Sequence, residues 1–126
     1  MRYLSKDWIA AADAAVKATA TSAPAGRVVV DQTIDDVVSY RVTIDATDPS
    51  VIEVSGHGHT EADATFRQTA ATASAVAQGH TDAHQAFLLG HIQFTGDISL
   101  LIERRSSFEW LASALAPVLA KTTFAD

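Results

Sequence analysis

The stretch GHTDAHQAFLLGHIQFTGDISLLI, from Gly79 to Ile102, is cut by Gly90 and Gly96 into three short pieces. Thr81-Asp82 can cap a short helix that runs through Phe87 to Gly90. His91 to Thr95 then alternates, which predicts a strand with Ile92 and Phe94 facing in and His91, Gln93 and Thr95 facing out. Beyond Gly96 the pattern divides: Ile98, Leu100 and Ile102 alternate like a strand, whereas Ile98, Leu101 and Ile102 fit a helix with Asp97 as N-cap. Periodicity alone leaves both open.

Working outward, the upstream residues alternate helix and strand signals with no linker. Trp8, Ile9, Ala12 and Val16 recur at helical spacing after Ser5, a plausible N-cap, with Asp7 in the first turn, and Pro24-Ala25-Gly26 ends the segment. RVVVDQTI, residues 27 to 34, is rich in β-branched residues. After an Asp35-Asp36 turn, Val38, Tyr40, Val42 and Ile44 alternate with Ser39, Arg41, Thr43 and Asp45, the mark of a half-buried strand in a sheet with one wet face. Turn chemistry at Thr47-Asp48-Pro49-Ser50 precedes a third strand, VIEVSGHGH, with Ile52 and Val54 expected inward. These three strands should form a meander. A short strand over 62 to 66 follows, then a helix of small residues, QTAATASAVAQG, closed by Gly79 at C′. Downstream, Ser106-Ser107-Phe108-Glu109 has the form of a capping box, and Phe108, Leu111, Leu115, Val118 and Leu119 make one apolar stripe, with Pro117 expected to kink or break it.

Composition sets the outer bounds. A chain of 126 residues suits one domain, 1 to 126, with one core, and an apolar share of 48% indicates that it folds. The net charge of −6 argues against nucleic acid or an anionic membrane surface as the main partner. The absence of cysteine removes disulfides, thiolate metal sites and a cysteine nucleophile. No apolar run has the length of a signal peptide core or of a membrane span, so a cytoplasmic protein without integral membrane contact is expected. Heavy use of alanine with only three lysines points to a bacterial, high-GC composition.

Five histidines invite a metal reading. His57, His59 and Glu61 would lie at period two on one strand, which puts three ligand types on one face. The same parity sets them with Glu53 and Ser55, opposite Ile52 and Val54, and so toward solvent unless a bulge intervenes at Gly56 or Gly58. His80 and His84 are four apart, yet an N-cap at Thr81 leaves His80 outside the helix. A polar surface is therefore expected at these positions, with His57, His59 and Glu61 kept as the alternative of a histidine-dependent metalloenzyme.

No motif asks for a cofactor. The chain has no G-x-S-x-G and no Ser-His-Asp set whose spacing carries meaning, so no catalytic residue is assigned. Gly56-His57-Gly58 lacks the third glycine and the Lys of a phosphate loop, Asp35-Asp36 reads as a turn, and Arg104-Arg105 reads as a solvated helix surface.

One resemblance stands out. The order of three strands, helix and short helix, followed by GHTDAHQAFLLGHIQFTGDISLLI, resembles the sterol carrier protein type 2 family. The matching positions are Gly79 ending a helix, Ala86-Phe87 and Gly90 of the short helix, Gly96-Asp97 after the strand, and the apolar segment from Ile98 to Ile102. Ala62-Asp63-Ala64-Thr65-Phe66 is similar to the family's extended segment leading into the helix after the sheet, so the resemblance covers about residues 26 to 105. The ending Thr123-Phe124-Ala125-Asp126 is not a peroxisomal address.

The resemblance implies an α+β fold, a five-stranded, mainly antiparallel sheet with helices packed on one face, and a cavity between them for a fatty acid, acyl-CoA, phospholipid or sterol-like ligand, bound without catalysis. The expected lining is Phe66, Val76, Phe87, Leu88, Ile92, Phe94, Ile98, Leu101, Ile102, Phe108, Leu111 and Leu115. About ten methylenes buried there would contribute roughly 8 kcal/mol before the cost of association. The same side chains at the same spacings would also fill an ordinary core; only their collective pattern favours a cavity. The second alternative is an accessory or homodimerisation module that uses the stripe from Phe108 to Leu119.

Overall fold

The computed structural model describes residues 1–54 and 62–124. Helix α1 spans Lys6–Ala18; strands β1, Val28–Ile34, β2, Val38–Ile44, and β3, Ser50–Glu53, follow. After β4, Ala64–Gln68, come α2, Ala70–Ala77, α3, Ala83–Leu88, β5, Ile92–Gly96, α4, Leu100–Glu103, and α5, Arg105–Ala120. The sheet order is β3-β2-β1-β4-β5. β1 runs parallel to β4, and the other three pairings are antiparallel. The expected α+β fold and the meander of the first three strands are present.

Local chemistry accounts for most of the boundaries. Ser5 caps α1 by accepting the Trp8 N–H at 3.2 Å, and the predicted stripe Trp8, Ile9, Ala12 and Val16 is its buried face. The β1–β2 turn places Asp36 at φ 61, a left-handed conformation that aspartate tolerates better than most residues. Gly79 follows α2 at φ 77, as a C′ glycine should. Asp82, rather than Thr81, caps α3 by accepting from the Gln85 N–H at 2.7 Å. The ambiguous segment after Gly96 is helical. Asp97 Oδ1 accepts from the Ser99 main-chain N–H and hydroxyl, forming a turn just before α4, while the N-cap position itself is Ser99.

Two sheet faces follow from the registers. Val28, Val30, Ile34, Tyr40, Val42, Ile44 and Val51 face helices α1 and α5 in one core with Trp8, Ala12, Val16, Trp110, Ala114 and Val118. Each fully buried large apolar side chain there contributes about 1.5–3 kcal/mol. On the opposite face Asp31 and Arg41, neighbours across β1 and β2, form a two-pronged ion pair at 2.7 and 3.0 Å with side chains only about a tenth exposed.

Three expectations need correction. Ile52 is 48% exposed, and Val51 is the buried residue, because β3 pairs Val51 with Val42 and Ile52 with Arg41. The parity assumed for the third strand is thus shifted by one. β3 ends at Glu53, and His57, His59 and Glu61 lie outside the described residues. Second, Ser106-Ser107-Phe108-Glu109 forms no capping box. Helix α5 starts at Arg105 directly behind α4, the N–H groups of Ser107 and Phe108 donate to Arg104 O, and Glu109 pairs with Arg105 at 2.9 Å. Ser106 thus lies inside the helix, and the N-cap position belongs to Arg104, whose side chain makes no capping bond. Third, Pro117 does not break α5. It stands on the solvent side near the helix end, and the carbonyl it deprives of a partner belongs to exposed Ser113, open to solvent.

Helix α5 docks on α1 with a side chain outside the predicted stripe. Trp110 Nε1 donates to Thr19 O and Ser22 Oγ, each at 3.2 Å, which ties α5 to the turn after α1. Residues Ser107, Trp110, Ala114 and Val118 are the buried line. Phe108, Leu111, Leu115 and Leu119 flank it, partly buried against the core of their own chain.

Candidate ligand-binding site

The two halves of the sheet are covered unequally. Over β1, β2 and β3, helices α1 and α5 leave the apolar side chains almost no exposure: Trp8 2%, Val16 0%, Ile44 0%. Over β4 and β5 the cover thins. Phe66 reaches the edge of the core, and Phe94 packs edge-on against it, ring centroids 5.2 Å apart at 65°. The register fixes this contact, since Phe66 and Phe94 are directly opposed on the helix-facing side of the sheet.

Of the predicted lining, Ile92 is buried, and Phe66, Val76, Phe94, Leu101, Phe108, Leu111 and Leu115 are half-buried. Phe87, Leu88, Ile98 and Ile102 are exposed, at 37%, 68%, 52% and 80%. Phe66, Phe108, Leu111 and Leu115 each pack against the one core, as does Leu100. Val76 instead lines an open depression of about 680 Å³ with Gly79, His80, Asp82 and Gln85. Phe66 and Phe94 are thus large apolar side chains, partly uncovered, on β4 and β5, while Leu101, Phe108, Leu111 and Leu115 are partly uncovered on α4 and α5. These side chains offer van der Waals contact.

Polar residues frame this end. Gln32 and Gln68 lie on the helix-facing side of β1 and β4, and Gln68 Nε2 donates to Gln32 Oε1 at 3.0 Å. Alternation within VVVDQTI carries the signal for Gln32, which falls on the side of Val28, Val30 and Ile34. Gln68 also borders an open depression of about 540 Å³ at the strand ends with Arg67, Thr69, Thr72, Gly90 and His91. Arg67 Nε donates to Asp35 at 2.7 Å, and this bond together with the charge of Asp35 holds the guanidinium pKa above its ordinary value. Gly96 lets β5 close on β4: its φ is 132, and a Cβ there would stand 2.7 Å from Asp63 O.

His80, His84 and His91 are exposed. Among the described residues, no three histidine or carboxylate side chains gather closely enough to hold a metal ion. No described helix is long and apolar enough to cross a membrane.

Comparison with known proteins bears on the same architecture. Curated protein sequences give no match. Among solved structures, a crystal structure of sterol carrier protein 2 aligns with TM-score 0.64 at 17% identity, over 90% of this chain and 96% of that one. The solution structure of sterol carrier protein 2 from Aedes aegypti, in complex with the fatty acid palmitate, aligns with TM-score 0.57 at 16% identity, over 90% and 98%. A sec-alkyl sulfatase, PisA1, aligns over 61% of this chain, which spans only 12% of that enzyme, with 20% identity and TM-score 0.49. At these identities the likeness to the two sterol carrier structures speaks for the fold. The model of the SCP-2 sterol transfer family matches residues 6–108, from the first turn of α1 into α5. A match of that extent, on a chain whose fold aligns with the sterol carrier structures, decides the matter: the chain belongs to the SCP-2 sterol transfer family.

Proposed function

We propose that this chain binds an apolar lipid-type ligand, a fatty acyl chain or sterol-like molecule, against the helix-facing side of β4 and β5 and carries it without chemistry of its own. The observation that supports this reading is the unequal cover of the sheet. Phe66, Phe94, Leu101, Phe108, Leu111 and Leu115 are large, apolar and only half-buried, while the α1 side of the same core is closed. Soluble domains keep such surface partly open mainly where something else covers it. Family membership and the palmitate complex of the Aedes aegypti protein agree with it. Phe87, Leu88, Ile98 and Ile102 belong to the same proposal as the outer rim, able to close over a ligand. On this reading the protein works in the cytoplasm, with an apolar small molecule as its partner.

Native mass spectrometry of the protein as purified from cells, followed by displacement of a fluorescent alkyl-chain probe, tests this. A co-purified lipid and saturable displacement are expected. A protein that carries no lipid and never takes up the probe would sink the reading.

A further inference from the structure

We propose that the Gln32–Gln68 amide pair is the polar end of this ligand site and selects an uncharged hydrogen-bonding head, a hydroxyl or a carbonyl, over a free carboxylate. The inference rests on the lipid-binding reading and deepens it. The pair interrupts an otherwise apolar surface: Gln32 is flanked by Tyr40 on β2 and Phe66 on β4, and Gln68 by Ile34 on β1 and Ile92 on β5. Both side chains are half-buried, and they share one hydrogen bond of 3.0 Å. Two primary amides carry four N–H groups and two carbonyl oxygens, so one mutual bond uses a small part of their capacity whichever way each amide is turned. Among the described residues neither side chain makes a second bond. A partly buried amide with unspent donors and acceptors is costly unless water or a ligand meets them.

Position and charge specify the ligand. Of the pair, Gln68 reaches the end of the apolar side of β4 and β5, where it borders the open depression together with Asp35, Arg67, Thr69, Thr72, Gly90, His91 and Gln93. An alkyl chain lying on Phe66 and Phe94 would bring its head to these amides. On the helix-facing side of the five strands, the described residues include no Lys, Arg or His; the one charged residue is Glu53, on the far edge strand. Arg67 borders the depression, but it is held by Asp35 and also feels the charge of Asp36. On the helix-facing side itself a carboxylate would thus meet no Lys, Arg or His among the described residues, whereas a hydroxyl or carbonyl finds both donor and acceptor in the amides.

The test uses the full chain and a pyrene-labelled alkyl probe displaced by hexadecanol, palmitate or hexadecane. Hexadecanol is expected to displace the probe at roughly tenfold lower concentration than hexadecane, the worth of one or two hydrogen bonds, and also below palmitate. In the double variant Gln32→Leu, Gln68→Leu the alcohol should lose that advantage while hexadecane binds at least as well; Gln68→Met alone, a smaller change, should show a partial loss if the double variant folds poorly. Palmitate binding best, or alcohol and alkane binding equally to the unaltered protein, would overturn the inference and leave lipid binding standing. So would a variant that keeps the preference. Failure of all three to displace the probe would remove the lipid-binding reading as well.

Discussion

Asp13 Oδ1, on helix α1, accepts the main-chain N–H of Val51 at 2.9 Å and so fastens the helix to the edge strand β3. Its other oxygen holds Lys17 Nζ at 2.6 Å. Burial pushes this carboxyl's pKa up, but the Lys17 bond, the Val51 N–H and the Lys17 charge together bring it below its ordinary value. A carboxylate whose folded pKa lies below its unfolded one contributes stability above the unfolded pKa, about 3.9, and loses it as pH falls through the folded value. Asp13→Asn should therefore cost about 0.5–1 kcal/mol near neutral pH, a figure kept small because Lys17 is half exposed. Urea midpoints of both proteins near neutrality and at about pH 3 check this. A gap of the same size at both values would show that the carboxylate's charge is not what holds β3.

The two tryptophans should respond differently to phenylalanine. Trp8 is 2% exposed, and its Nε1 has no partner among the described residues, whereas Trp110 Nε1 is bonded to Thr19 and Ser22. Both changes lose packing, but Trp8→Phe also removes an unsatisfied donor, while Trp110→Phe strips a carbonyl of its partner. Chemical denaturation should find Trp110→Phe the more destabilising by about 1 kcal/mol. The reverse order would place a hidden acceptor at Trp8.

Gly96 and Gly79 both have positive φ and yet should tolerate alanine unequally. At Gly79 an added Cβ meets nothing within 4 Å, so Gly79→Ala should cost about 1 kcal/mol for the left-handed backbone alone. At Gly96 the added Cβ would stand 2.7 Å from Asp63 O and 3.2 Å from Ala64 Cα, and backbone atoms cannot swing aside. Gly96→Ala should cost about 2–3 kcal/mol. Equal thermal midpoints for the two variants would contradict the close approach of β5 to β4.

Phe94→Asp should cost roughly 2–3 kcal/mol and abolish probe uptake, since it removes the ring that packs on Phe66 and puts a charge on the proposed apolar wall. Thr95→Ala, one residue along and on the other face, should leave both unchanged. Denaturation and probe titration, run on each variant, separate the two effects: a folded Phe94→Asp protein that still takes up the probe would move the site away from β5.

What could be read from the sequence was whatever neighbours in the chain determine. Ser5 capping α1, the inward set Trp8, Ile9, Ala12 and Val16 and the glycine stop at Gly79 all depend on local spacing, and each is found; β2 keeps the expected sides, but its expected wet face is closed, with Thr43 7% exposed and Arg41 paired with buried Asp31. What misled was set by partners distant in sequence. Ile52 faces out because β3 takes its register from β2, and Ser106 caps nothing because α4 abuts α5. Trp110 escaped notice because its acceptors sit about ninety residues earlier, on the turn after α1. At the candidate site, the opposition of Phe66 and Phe94 was within reach of pattern, but exposures such as 80% at Ile102 depend on what lies above a residue, which spacing does not encode.

The parallel pairing of β4 with β1 has a kinetic side. The meander closes through short loops, with Ile34 opposite Val38 on either side of a turn, whereas the bond from Val29 N–H to the Asp63 carboxylate spans 34 residues. Loop-closure entropy makes such distant pairings late to form and early to give way. The β4–β5 half of the sheet should then act as a separate, weaker unfolding unit, with the Phe66 amide exchanging hydrogen ahead of the Val42 amide although both lie in interior strands. A molecule that occupied that half would slow this exchange, so its arrival could be read from the breathing of the backbone before any complex is seen.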